Sequence, residues 1–295
     1  MSPYDHPRPA TAPTITPAHA PVHARPVLKW AGGKRKLLPA LVKHLPDYRA
    51  YHEPFVGSAA LFFELQNGNR WLRAHLSDVN QALMDVYVGL RDHVEMVISY
   101  LHEHRYDERH YYAVRAQSTA HMSLPERAAR MIYLNKTCFN GLYRENRAGQ
   151  FNVPFGRHVN PTICDEANLR AASAALQGVR LVSHHFEKIL ESAQSGDLVY
   201  FDPPYYPVSA TARFTSYTSG GFSEHDQRHL RDIYRELDAR GVYVILSNSD
   251  TTFIRDLYAD WQIETVYAAR AINSRATARG KVAEVIVRNF GVDSV

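Results

Sequence analysis

The sequence predicts an α/β protein: a largely parallel sheet covered by helices on both faces, with a helical second lobe inserted into it. Three observations carry this. Short apolar runs such as "LVYF" and "VYVIL" alternate with amphipathic stretches, and strands apolar throughout belong in a sheet buried on both faces. Between Gln81 and about Pro161 strand signals are scarce, whereas the alternation resumes beyond Asn160. The 295 residues, 45% hydrophobic and 22% charged, suffice for a sizeable core in an ordinary globular chain.

Residues 1–24 are rich in Pro, Ala, Thr and His and cannot bury enough surface to offset their ordering entropy, so a disordered tail is expected there. In "RPVLKWAGGKRKLLPALVKHLP" a Gly-Gly turn precedes a helix whose Leu37, Leu38, Leu41 and Leu45 share one face. Next, "AYHEPFVGSAALFFELQ" reads as strand, small-residue turn and helix, and "LRAHLSDVNQALMDVYVGLRDH" as a strand ending at Asp78 and a helix. Helices follow at "DERHYYAVRAQ" and "LPERAARMIYLN", then a Gly/Asn-rich segment in which "NRAGQ" reads as a hairpin turn. Beyond it come helices at "DEANLRAASAAL" and "EHDQRHLRDIYRELDARG". Strands are expected at "VRLVSH", "DLVYF", "VYVILSN", "WQIETVYA" and "AEVIVRNF". Residues 25–80 and 162–295 are thus expected to form the sheet domain, and 81–161 the inserted lobe.

No apolar run approaches the roughly 18 residues of a membrane span, and the N-terminus lacks a signal peptide's apolar centre, so cytoplasmic residence is expected. Cys138 and Cys164 suit a reducing compartment and have no closely spaced histidines to make a zinc site, so they are expected to be inert thiols, without a metal. The formal net charge is +4, but it is unevenly spread. Arg25 to Lys43 holds six basic residues and no acid, Leu134 to His158 carries four against one, and Arg270 to Arg288 five against one. Folded onto one face, these segments would suit a polyanion; solvated surface is the equal alternative.

Ligands on such sheets gather at the carboxyl ends of the strands, where "EPFVGSA", "LSDVN", "HHFEKI" and "FDPPYY" fall. Gly57 in the first permits close backbone approach, though turn glycines after strands are common. Asp78 in the second stands where an acid binds ribose hydroxyls, or where a helix is capped. "AGGKRK" lacks the first glycine and the Ser/Thr of a phosphate loop, which argues against nucleoside triphosphate hydrolysis. In "FDPPYY" the prolines preset the backbone that presents Asp202 and the Pro203 carbonyl. Two acceptors side by side suit an exocyclic amino group on a planar base, against which Tyr205 can stack for roughly 1–3 kcal/mol. A bare proline turn explains Pro203 and Pro204 but not the flanking acid and aromatic.

At this point a resemblance is plain. "LKWAGGKRKLLP", "EPFVGSAALFF", "LSDVN", "YLNKTCFNGLYRENRAGQFNVPFG", "VYFDPPYYP", "LSNSD" and "RGKVAEVIVRNF" resemble, in order and spacing, the DNA adenine-N6 methyltransferase (Dam) family, the D12 class, over about Arg25 to Phe290. "DPPY" alone is shared by amino-methyltransferases acting on DNA, RNA and protein; "WAGGK" with "FNGLYR" and "FNVPFG" is far more specific.

The resemblance implies a Rossmann-like, seven-stranded methyltransferase sheet with an inserted target-recognition domain, acting on double-stranded DNA with S-adenosylmethionine. It places Trp30, Gly33, Lys34, Glu53, Pro54, Phe55, Gly57, Asp78, His185, Phe186 and Asp202 at the cofactor. The catalytic segment is Asp202, Pro203, Pro204 and Tyr205. Lys29, Phe139, Asn140, Leu142, Arg144 and Pro154 are implied to meet bases or the opened stack, with Arg147, Arg157, Arg275 and Lys281 on phosphates. Two positions depart from the family's pattern: His185 replaces an acid or small polar residue, and Ala59 a glycine. GATC is the implied site, an extruded adenine the substrate, a monomer the working form and a restriction endonuclease a possible functional partner. Alternatives are cytosine-N4 or RNA adenine methylation, or an inactive DNA-binding relative.

Overall fold

The computed structural model describes residues 22–208, except 31, 33, 35 and 69–72, together with 222–269 and 281–291. Among these, seven strands form one mixed sheet: β1 (Tyr51–Glu53), β2 (Ala74–Asp78), β3 (Arg180–Ser183), β4 (Leu198–Phe201), β5 (Tyr243–Ser249), β6 (Gln262–Ala269) and β7 (Lys281–Arg288). Their order is β3-β2-β1-β4-β5-β7-β6. The first five are mutually parallel, and β7 runs antiparallel between β5 and β6. The strand order reverses between β1 and β4, which opens a crevice beyond their carboxyl ends. Glu53 therefore ends β1, and Asp202 directly follows the neighbouring β4.

The continuous apolar strands divide their side chains by the two-residue period of a pleated strand. Leu198 and Tyr200 of β4 enter one core, and Val199 and Phe201 enter the other. The first core is roofed by α1 (Leu38–Val42), α2 (Ala60–Asn67), α3 (Gln81–His102), α5 (Leu124–Thr137) and α6 (Glu166–Ala175); the second by α7 (Glu224–Ala239) and α8 (Thr252–Leu257). Helix α4 (Glu108–Ala116) packs on α5. Four of these starts have a side-chain cap that explains them: Asn80 caps α3, Asp107 caps α4, and Ser123 with Glu126 and Ser223 with Asp226 form capping boxes on α5 and α7.

Helices α3 and α5 pack onto the sheet: Leu83, Tyr87 and Ile132 share one apolar cluster with Tyr51, Leu76 and Tyr200. Their close approach rests on Gly89, where a Cβ would come within 2.8 Å of the Ala128 methyl. Order begins before Arg25. Ala24 is buried, and its amide and carbonyl pair with the Asn67 side chain at 3.0 and 2.8 Å, which removes it from the expected tail. Residues 1–21 lie outside the described residues. No helix among the described residues is long and apolar enough to cross a membrane.

Candidate active site

The crevice beside β4 is built from carboxylates and donors supplied by several elements. Asp202, one residue beyond β4 and 19% exposed at its side chain, accepts from Lys34 Nζ at 2.7 Å. Ser247 of β5 also donates to it, at 3.0 Å. Both donors reach the same oxygen, Oδ1. Oδ2 has no partner among the described residues. Because the Ser247 proton points at Asp202, the 2.9 Å contact between Ser247 and Tyr200 requires the Tyr200 hydroxyl to donate. Burial pushes the Asp202 carboxyl up from the usual range, and Lys34 is the largest influence opposing this.

The loop after Asp202 is pinned through its backbone. Gln227 of α7 donates to the Pro204 carbonyl at 3.0 Å, Asn248 accepts from the Tyr206 amide at 3.0 Å, and Ser249 donates to the Tyr206 carbonyl at 2.6 Å. No hydrogen bond reaches the Pro203 carbonyl from the described residues, whereas the carbonyls of Pro204 and Tyr206 have their donors. Tyr205 donates its hydroxyl to Glu284 of β7 at 2.9 Å, and Lys34 Nζ lies 4.2 Å from the centre of its ring.

Around these groups, Trp30, Gly32, Glu53, Val56, Gly57, Ser58 and Tyr200 line the same cleft. Glu53 is 3% exposed and accepts from Tyr51 at 2.9 Å; burial first, then the neighbouring Asp202 and Asp78 charges, hold its carboxyl well above the ordinary range. Gly57 has φ +44°, and a Cβ there would meet the Trp30 ring at 2.9 Å, so only glycine lets that indole lie on the turn. Asp78 binds that turn to the next strand end, accepting from the Gly57 amide at 3.3 Å and the Asn80 amide at 3.0 Å. The helix cap is therefore Asn80, which frees Asp78 for the turn. His185 and Phe186 follow β3 beside it; the His185 side chain is 49% exposed, whereas Phe186 is buried against Phe55, 5.1 Å between ring centres. Pro54 lines a different cavity, with His52, His75 and Arg180.

A second cluster projects beside this cleft. The Trp30 ring stacks on Tyr143 at 5.2 Å, joining the turn to the segment after α5. Asn135, fully buried in α5, clasps the two: it accepts from the Lys29 amide and donates to the Lys29 carbonyl, each at 2.8 Å, and donates to the Gly141 carbonyl at 3.1 Å. The stem of Lys29 lies against Gly141 so closely that a Cβ there would sit 2.4 Å from Lys29 Cδ. Phe139 and Leu142 are 49% and 43% exposed, and the Phe139 amide donates to the Pro154 carbonyl at 2.9 Å. The "NRAGQ" turn is a hairpin as expected, closed by Asn146 N–H to Gln150 at 2.9 Å with Gly149 at φ +71°. Across it, Arg144 donates to Asn152 Oδ1 at 2.6 Å and to the Asn152 carbonyl at 3.1 Å.

Over residues 30–272 the chain matches the profile of the D12 class N6 adenine-specific DNA methyltransferases. It belongs to that family. Among its relatives, the Type II methyltransferase M1.LlaDCHI of Lactococcus lactis subsp. cremoris is 42% identical over 279 residues, 92% of this chain and 97% of the relative. The Type II methyltransferase M.MjaIII of Methanocaldococcus jannaschii is 37% identical, with 91% and 100% covered. The DNA adenine methylase of Escherichia coli strain K12 is 34% identical, with 89% and 94% covered.

In this methyltransferase the structure brings Trp30, Lys34, Glu53, Gly57 and Asp202 to one cleft, with Asp78 tied to its rim. Lys29, Phe139, Asn140, Leu142, Arg144, Arg147, Pro154 and Arg157 are exposed on the hairpin side. Gly33 and Arg275 lie outside the described residues, as does the side chain of Lys281. Of the third basic segment, Arg288 is no surface charge: it is 2% exposed and bonded to Glu264 at 2.6 Å and the Ala40 carbonyl at 2.7 Å. The departure at Ala59 has a visible consequence, since that residue holds φ +55°, where glycine is unstrained. Sequence reasoning gave no role to Tyr200, Ser247, Asn248, Gln227, Glu284, Asn135 or Asn152. Ser247, Asn248 and Glu284 lay inside the quoted "LSNSD" and "AEVIV", but nothing local assigns a polar residue to a partner on another strand.

Proposed function

We propose that this chain moves a methyl group from S-adenosylmethionine to N6 of an adenine turned out of double-stranded DNA, with GATC as the preferred site. The observation that carries it is the pair of acceptors just beyond β4, Asp202 Oδ2 and the Pro203 carbonyl, that have no partner among the described residues. An adenine amino group has two hydrogens and a lone pair delocalised into the ring. Accepting both hydrogens favours a more tetrahedral nitrogen and stabilises the positive charge that develops on it. Lys34 and Ser247 favour the ionised carboxylate against its burial and orient it for this. Tyr205 offers a ring to the face of the base.

The cleft suits a cationic, ribose-bearing donor: Asp202 supplies a carboxylate and Glu53 a buried acidic side chain, Asp78 stands at the rim where hydroxyls can be bound, and Gly57 leaves no side chain in the way. When bound, S-adenosylmethionine supplies an electrophilic methyl group on a sulfonium. Trp30, Lys34, Glu53, Gly57 and Asp78 would hold it, with His185, Phe55 and Phe186 near its adenine. On the hairpin side, Phe139 is an exposed aromatic fit to enter the stack and offset an extrusion cost of roughly a few kcal/mol, with Leu142 and Pro154 assigned to a thymine methyl. Arg144, fixed by Asn152, presents a planar fork suited to guanine in the major groove, and Lys29 a point charge beside it. Arg147, Arg157, Arg275 and Lys281 are assigned to phosphates. The Type II methyltransferase names of two relatives favour work beside a restriction endonuclease.

Methyl transfer from labelled cofactor to unmethylated duplex DNA, followed by nucleoside analysis, tests the reading. N6-methyladenine should form, and Asp202→Ala should abolish it while retaining DNA binding. N4-methylcytosine in its place, or full turnover by Asp202→Ala, would refute it.

A further inference from the structure

Glu284 stands apart from everything assigned above. It lies on β7, the antiparallel strand, in register opposite Ser249 of β5, and reaches over that strand to the catalytic loop. Its Oε2 accepts the Tyr205 hydroxyl at 2.9 Å. Burial is the main cause that holds the Tyr205 phenol far above its ordinary titration range, so the phenol stays protonated and is the donor. Two carboxylates thus approach one loop, with Asp202 taking Lys34 and Ser247 and Glu284 taking Tyr205.

A tyrosine ring beside a base pocket has a rotational freedom that prolines do not remove. The prolines and the bonds from Gln227, Asn248 and Ser249 fix the backbone of residues 203–206, yet the ring itself is held by its hydroxyl and by the Lys34 ammonium on its face. A ring already at the right tilt loses no further freedom when a planar base stacks on it.

We propose that Glu284 is a positioning residue for methyl transfer: it fixes the Tyr205 ring through the phenol hydrogen bond and so sets the plane in which the target base lies beside Asp202. This rests on the reading of Tyr205 as the stacking surface of the base. Glu284 also adds negative charge near Asp202 and raises its carboxyl, whereas Lys34 and Ser247 lower it; Glu53 and Tyr200 are the other titratable groups facing this site.

A double-mutant cycle with full-length protein separates the possibilities. The variants are Glu284→Ala, Glu284→Gln and Tyr205→Phe, with Glu284→Ala also made in the Tyr205→Phe background, all assayed for kcat and KM with a duplex substrate and for base extrusion with 2-aminopurine in place of the target adenine. Glu284→Ala and Tyr205→Phe should each lower kcat about tenfold, as expected for loss of a hydrogen bond to a charged group, and the double variant no further. Glu284→Gln keeps an acceptor for the phenol and should restore most of the turnover. Removing the charge lowers the Asp202 carboxyl, and because transfer needs the carboxylate, the acid limb of its kcat–pH profile should move to lower pH. Multiplicative losses in the double variant, or Glu284→Gln as impaired as Glu284→Ala, would overturn the inference. A wild-type enzyme that transfers methyl groups without extruding 2-aminopurine would instead overturn the base-stacking reading beneath it.

Discussion

Asp202 is useful because its two oxygens are treated differently. Oδ1 is saturated by Lys34 and Ser247, and the charge it shares with Lys34 offsets part of the desolvation that burial imposes. Lys34 is nearly buried itself and also donates to the Gly32 carbonyl at 2.8 Å, so the ammonium is held between the turn, the acid and the Tyr205 ring. The sign of a Lys34→Met effect follows. With the cation gone, the raised Asp202 carboxyl moves higher still, and a group that must be ionised is then protonated over a wider acidic range. The acid limb of kcat against pH should shift upward, and turnover lost near neutrality should recover partly as the pH is raised. A profile displaced downward or not at all would show that Lys34 acts through packing alone.

The hairpin after α5 depends on one internal amide. Asn135 makes three hydrogen bonds to backbone, two of them at Lys29, and thereby couples the "WAGGK" turn to the "FNGLYR" segment. Asn135→Ala strands the Lys29 amide and carbonyl, and about 3 kcal/mol of stability should go with them, read from urea unfolding. A loss below about 1 kcal/mol would mean that water replaces the amide. The coupling has a plain consequence for this methyltransferase: a residue at the cleft, Trp30, and one on the hairpin, Tyr143, touch.

Across the molecule, the sheet and the helices of residues 81–137 share one core, which makes them one unit energetically. Amide hydrogen exchange should therefore show α5 opening with the same free energy as β4. Exchange of α5 at far lower cost would restore the separate lobe that the chain alone suggested.

Much of this architecture was legible in the chain. Strand and helix order, the hairpin turn at "NRAGQ" and the acid–proline–aromatic segment rest on period, turn chemistry and restricted backbone, which are properties of neighbouring residues. What the helices of the expected lobe pack against was not legible, because apolar faces on α3 and α5 announce that they are buried but not against what. The polar partners lay further out of reach. Ser247 meets Asp202 across 45 positions, Glu284 meets Tyr205 across 79 and Asn135 meets Lys29 across 106. Which oxygen is saturated and which remains free depends on where donors from distant strands arrive, and folding alone brings them together.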